Sequence, residues 1–221
     1  MDQVDNYKKV GINWQIGEFV VGIIALAYFL MYPRDTLSDF LVLTVLCFIL
    51  RLSYTQIGLL RLPVCPFSKA DTLLVIFTII IFLSAWIYGA IEGTLNRQRI
   101  LMSLFITVVY FYYAFIQHFL AQRYLALRLF YAVENKAFIL RYKFRKKIIA
   151  ALLTGFIFGV IHLPYPDLIL PSMIGGALYA YYFLTTGKLW MVVSSHALIS
   201  STVLFWYLGD NPFVELEVFF S

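Results

Sequence analysis

Two histidines, His162 and His196, stand in an otherwise apolar stretch, TGFIFGVIHLPYPDLILPSMIGGALYAYYFLTTGKLWMVVSSHALIS (residues 154–200). A third, His118, lies near the end of the apolar run LFITVVYFYYAFIQHFL. An imidazole takes up or releases a proton near neutral pH and is the commonest metal ligand. Inside an apolar membrane helix such a group is costly, and it marks an interior functional position by default. All three histidines read as helical, none as a loop residue. Phe158 precedes His162 by four residues and Ser200 follows His196 by four, so each pair shares one helix face. Gln117, His118, Gln122 and Arg123 form a further polar patch, in the cytoplasmic third of one helix. Two readings stay open for these groups. They are a reactive centre, or they are satisfied core histidines and polar glue between helices, worth ~0.6–2 kcal/mol per interhelical hydrogen bond.

The elements that must position them are membrane helices. The chain has 221 residues, 62% apolar and 13% charged, against ~25% charged in soluble domains. A spanning helix needs roughly 20 mostly apolar residues. Seven such stretches are marked at about 15–32, 36–53, 71–92, 100–122, 147–163, 166–184 and 189–208. The expectation is an all-α, polytopic membrane helix bundle of about seven transmembrane helices. Residues 1–221 form a single membrane domain with no room for a soluble one.

Charge sets the expected orientation. With seven spans, one side receives 14 Lys and Arg, eight of them between Arg123 and Lys147, and the other side only Arg34, Arg97 and Arg99. The positive-inside bias puts the N-terminus and the 123–147 loop in the cytoplasm. The net charge of +5 therefore points to a membrane surface and not to nucleic acid. The basic loop either binds anionic lipid headgroups, at ~1 kcal/mol per residue, or only fixes topology. The N-terminus does not read as a cleaved signal peptide, and the protein is expected to be an integral, multi-pass protein of the cell membrane. Cys47 and Cys65 lie in a span and a cytoplasmic loop, which argues against a disulfide.

The first hundred residues read as scaffold helices. RLPVCPFSKAD is a short turn between the second and third stretches. The third stretch is lipid-like on nearly every side, with Trp86 and Tyr88 marking its outer interface. Prolines after His162 end the fifth stretch. Asp167 is placed as a cap for the sixth, Gly175-Gly176 as a site of close helix approach, and Thr186-Gly187 as its C-terminal stop.

The segment FGVIH (158–162) resembles the F-x-x-x-H motif of the CPBP family, the CAAX proteases and bacteriocin-processing intramembrane proteases. TGKLWMVVSSHALIS (186–200) is similar to that family's TG-x-LW…H-x-x-x-N/D segment, 34 residues separating His162 from His196. QHFLAQRYL (117–125) aligns with the family's first motif, E-E-x-x-x-R. The resemblance covers roughly 105–205. It implies cleavage of membrane-anchored or lipidated peptide substrates within the membrane, with the first glutamate and the histidines activating water. The chain departs from the pattern: the glutamates are replaced by Gln117 and His118, the arginine by Gln122 and the final Asn/Asp by Ser200. An amide cannot take a proton from water, and a missing general base is worth ~10²–10⁴-fold in rate. Glu134 lacks the spacing to replace it.

Two functions follow. The chain is an intramembrane endopeptidase in which His118, His162 and His196 activate water, with a Zn²⁺ as cofactor if the three hold one, since such a zinc lowers the pKa of bound water to about 7. Alternatively it is a catalytically degenerate homologue, a membrane scaffold or a partner-binding subunit. In both, Phe158, Gln122 and Ser200 support the site, and the partners are membrane lipids and a membrane-anchored peptide or protein.

Overall fold

The computed structural model describes residues 66–95, 97–134, 143–163 and 166–203, with isolated helical positions at Ile24, Val42 and Thr44. Among the described residues six α-helices are defined: α1 (Lys69–Ile91), α2 (Arg97–His118), α3 (Leu127–Glu134), α4 (Lys143–Val160), α5 (Pro166–Thr186) and α6 (Leu189–Thr202). A π-helical stretch, Phe119–Ala126, joins α2 to α3. No strand occurs among the described residues. Lys69–Ile91, Ser103–Val133 and Pro166–Thr186 are long and apolar enough to cross a membrane. Apart from Ile24, Val42 and Thr44 the first two apolar stretches lie outside the described residues, as do the N-terminus, both cysteines and the acidic tail, so the seven-span count and its orientation are sequence expectations.

The chain divides into two compact units, Cys65–His118 with Leu189–Ser221, and Met1–Val64 with Phe119–Lys188. In the first, α6 packs against both α1 and α2. α1 starts at Ser68, whose hydroxyl accepts from the Asp71 amide while the Asp71 carboxylate accepts from the Ser68 amide and hydroxyl. This reciprocal box satisfies donors that a helix start leaves bare. It ends where Gly93 takes a φ of 69°, with Thr94 N–H bonded to the Gly89 carbonyl and Gly93 N–H to that of Ala90. Only glycine reaches that backbone at little cost. One stripe of α1, from Asp71 through Leu74, Thr78 and Ala85 to Gly89, is buried. Leu73, Ile76, Ile80 and Ile87 are exposed, and these apolar faces suit contact with lipid.

In the second unit α4 and α5 form the most closely joined pair. A Cβ on Gly155 would lie 2.7 Å from the Ala177 amide nitrogen, and one on Gly176 would lie 3.0 Å from Phe158 Cβ. Gly159 faces the Met173 side chain and the Ile169 carbonyl. The spacing Gly155-x-x-x-Gly159 lets two backbones approach, as small residues do in membrane helices. Ala126, Ala151 and Ala180 extend the small-residue packing to the end of the π-helical stretch.

Several expectations need correction. The fourth stretch does not end near 122: helix continues to Glu134, so Arg123 and Arg128 are helical and not in the loop. Arg123 is 5% exposed. The Gln117–Arg123 patch falls at the middle of the Ser103–Val133 span, not in its last third. α4 starts at Lys143, earlier than the apolar pattern suggested, because its first turn is basic. α5 begins at Pro166, whose fixed φ and missing N–H suit a first helical position. Asp167 therefore sits in the first turn and is not the cap. Of the Gly175-Gly176 pair only Gly176 meets α4, since a Cβ on Gly175 would have nothing within 4 Å. Gly187 does end α5, with φ of 73° and its N–H 2.7 Å from the Phe183 carbonyl.

Candidate functional site

Helical spacing puts Tyr110, Ala114 and His118 on one face of α2. All three are buried, Ala114 and His118 completely. Opposite that face stands His196 of α6, half-buried. The His118 and His196 rings meet edge to face with centroids 4.6 Å apart, and the Tyr110 ring is 5.9 Å from His196. His196 Nε2 lies 3.2 Å from Ser200 Oγ. The i,i+4 pairing of His196 with Ser200 expected from the sequence is thus present.

Bonds on separate sides of α6 hold it in place. Ser195 Oγ is 2.6 Å from Thr78 Oγ1 of α1, and Ser201 Oγ is 2.8 Å from Thr107 Oγ1 of α2. Trp190 stacks on Phe111 and Phe115, at 6.0 and 4.9 Å between ring centroids. Such aromatic pairs add about 0.5–1.5 kcal/mol beyond the area they bury. With contacts to α1 on one side and to α2 on another, α6 cannot turn about its axis without breaking at least one set. That fixes where His196 points.

Gln117 precedes His118. Its side-chain oxygen Oε1 is buried and accepts no hydrogen bond among the described residues. A buried acceptor left so costs about 1–3 kcal/mol, which a ligand donor would recover. Tyr110 was not singled out from the sequence, where 16 tyrosines were assigned to packing. Its signal was the eight-residue spacing to His118, two helical turns along one face.

The other unit carries Gln122, Arg123, Phe158 and His162. Gln122 is completely buried in the π-helical stretch. A helix with i→i+5 bonds is rare and frequent at functional sites. His162 is not within α4, which ends at Val160. It lies in a terminal turn, its N–H bonded to the Gly159 carbonyl at 2.9 Å. The expected pairing with Phe158 is present: the rings are 5.1 Å apart, and His162 Nδ1 is 2.7 Å from the Phe158 carbonyl oxygen. A carbonyl only accepts, so Nδ1 carries the proton, and in the neutral ring Nε2 carries the lone pair. Phe158 itself is held by Gly176 at its Cβ, so the glycine seam positions the histidine turn.

His118 and His196 offer two nitrogen ligands within their unit, one fewer than a catalytic zinc takes from protein. Among the described residues no group of three or more His, Cys, Asp or Glu side chains gathers to hold a metal.

These features define a helical membrane protein with a buried imidazole, that of His118, in one of its apolar helices. Residues 120–202 match the family model described as Rce1-like, type II CAAX prenyl endopeptidase Rce1-like. Over these residues the chain is similar to the CPBP/CAAX-protease family, the family its histidine motifs resemble. It takes in Gln122, His162, His196 and Ser200 but begins at Leu120, after Gln117 and His118. No curated protein and no solved structure matches the chain significantly.

Proposed function

We propose that this CAAX-protease-like membrane protein holds a membrane-anchored or lipidated peptide at the α2–α6 site without hydrolysing it. The observation that carries this reading is Gln117. Where the resemblance places the first motif glutamate, the chain has a buried amide oxygen without a hydrogen-bond partner among the described residues. It has no proton-accepting chemistry to offer water, but it does offer an acceptor to a peptide N–H. The described residues of α2 and α6 include no Asp or Glu at all. The test is binding and cleavage of a fluorescent farnesylated peptide by the purified protein in nanodiscs. Binding without cleavage is expected. Gln117→Leu should weaken binding about 5- to 10-fold, the net worth of a hydrogen bond of ~1–1.5 kcal/mol. Cleavage by the wild type that disappears in His162→Ala and His196→Ala overturns the reading.

A second reading, hydrolysis by histidine-activated water, is favoured by the tautomer of His162. Its Nδ1–H bond to Phe158 leaves Nε2 as the lone-pair nitrogen, the form needed in a general base or a metal ligand. Zinc belongs only to this reading, with His118, His162 and His196 as its ligands and an acidified water as its contribution. One zinc per purified chain, lost in His118→Ala and in His162→Ala, is the result that would favour it.

A further inference from the structure

The glycine seam fixes which residues of α4 and α5 lie at the same depth. A Cβ on Gly155 would meet Ala177, and one on Gly159 would meet Met173. A step forward on α4 thus matches a step back on α5, and the two helices run antiparallel. Ala151, one turn before Gly155, packs with Ala180 and the partly buried Leu184, in the same register. One turn further back on α4 is Lys147, which falls level with Thr185, and Lys146 falls level with Thr186. The first turn of α4, with Arg145, Lys146 and Lys147, therefore stands beside the end of α5 and Lys188 just after it. Lys147 and Lys188 are 41 positions apart in the chain, but the seam brings them to one level.

That level is a membrane interface. α5 is long and apolar enough to cross a membrane. Its 21 residues cover about 32 Å at ~1.5 Å per residue, close to the ~30 Å of a hydrocarbon core. Its two ends then lie at headgroup depth. Charge is divided between them: Arg145, Lys146, Lys147 and Lys188 gather at one, and Asp167, the one acidic residue of either helix, is at the other. The stability of α4 does not call for this, since cations at a helix N-terminus oppose the macrodipole. Arg145 is exposed and the three lysines are half-buried. Each can lay an apolar stem along the helix pair and raise its charged head to the headgroups. We propose that the shared end of α4 and α5 is a docking surface for an anionic phospholipid, whose phosphate is held by Arg145, Lys146, Lys147 and Lys188 together. This holds whether or not the α2–α6 site takes a peptide.

Native mass spectrometry of the purified protein released from detergent tests this. With dioleoyl phosphatidylglycerol and dioleoyl phosphatidylcholine added at equal concentration, it resolves each bound lipid by mass and gives the affinity of the first. A cation near an anionic surface is worth roughly fivefold in affinity, so several together should favour the first phosphatidylglycerol by about tenfold or more. Lys146→Gln and Lys188→Gln should each cut that preference by roughly three- to fivefold, and Lys146→Arg, which keeps the charge, should keep the preference. Lys69→Gln removes an exposed cation at the start of α1 and should change nothing. A wild type that binds both lipids equally, or a Lys188→Gln protein with wild-type preference, overturns the proposal and leaves the cations as topology signals. An equal loss in Lys69→Gln would mean a diffuse charge effect and overturns it as well. Inorganic phosphate at the lipid's concentration should not displace the lipid; displacement would mark a free-anion site and overturn the lipid assignment. If Lys146→Gln loses helicity by circular dichroism, Arg145→Gln at the exposed neighbour takes its place.

Discussion

The two units hold their histidines by different physics. In the α4–α5 unit the backbones meet along Gly155, Gly159 and Gly176, and His162 is fixed by a bond to the carbonyl four residues earlier. In the α1–α2–α6 unit the helices are joined by hydroxyl pairs and stacked rings, and His196 is fixed by side chains. The first arrangement depends on the absence of atoms, the second on their presence. Shape held by glycine tolerates almost no addition, while a polar seam loses only a bond at a time. The histidine tied to its own backbone keeps its tautomer under most side-chain changes. The histidine tied to Ser200 can be reset by one.

The sharpest way to break this contrast is Gly155→Ala. The new Cβ meets the amide nitrogen and the Cβ of Ala177, both at 2.7 Å. Backbone cannot swing aside, so the helices must part. Overpacking typically costs 1–3 kcal/mol and sometimes more, and a loss at or beyond the upper end of that range is expected. Thermal unfolding in detergent, followed by circular dichroism, measures it. A Gly155→Ala protein that melts with the wild type would show that the seam is not closed.

A middle-sized effect is expected at the hydroxyl seam. Thr78→Val keeps the shape and removes the 2.6 Å bond to Ser195. Interhelical hydrogen bonds in membranes are worth ~0.6–2 kcal/mol. Combined with Ser195→Ala in a double-mutant cycle, the two changes should be strongly non-additive, because both remove one bond. Additive losses would mean that the pair does not couple α1 to α6.

The contrast also explains what could be read from the sequence. The apolar runs gave α1, α5 and most of the long α2 span, since length and hydropathy are local properties. The i,i+4 pairs Phe158–His162 and His196–Ser200 were legible for the same reason. The partner of His196 was not, because His118 lies 78 positions away and only packing brings them together. The glycines at 155 and 159 stand four apart within TGFIFG, but a glycine period in an apolar run does not say which helix closes on it. The π-helical stretch has no compositional signal, so Arg123 was counted among loop charges. Asp167 next to prolines looked like a cap because the sequence does not say which residue takes the first helical φ. That position went to Pro166.

The smallest effect is the most discriminating, because it reverses sign between adjacent residues. Gly175 and Gly176 both lie inside α5. An added methyl at 175 has nothing within 4 Å, whereas at 176 it lies 3.0 Å from Phe158 Cβ and 3.2 Å from Gly155 Cα. Alanine is favoured over glycine in a helix interior by up to ~1 kcal/mol. Gly175→Ala should therefore leave stability unchanged or raise it by up to that amount. Gly176→Ala gains the same propensity but must push Phe158 or the α4 backbone away, and the expected net result is a loss. The displaced Phe158 is also the residue whose carbonyl holds His162 Nδ1. Gly176→Ala should consequently disturb the His162 ring-nitrogen shifts in the NMR spectrum of ¹⁵N-histidine-labelled protein and leave those of His196 alone. If both alanines shifted the melting temperature equally, the seam would be a matter of helix propensity and not of shape, and the contrast between the two units would fail at its simplest point.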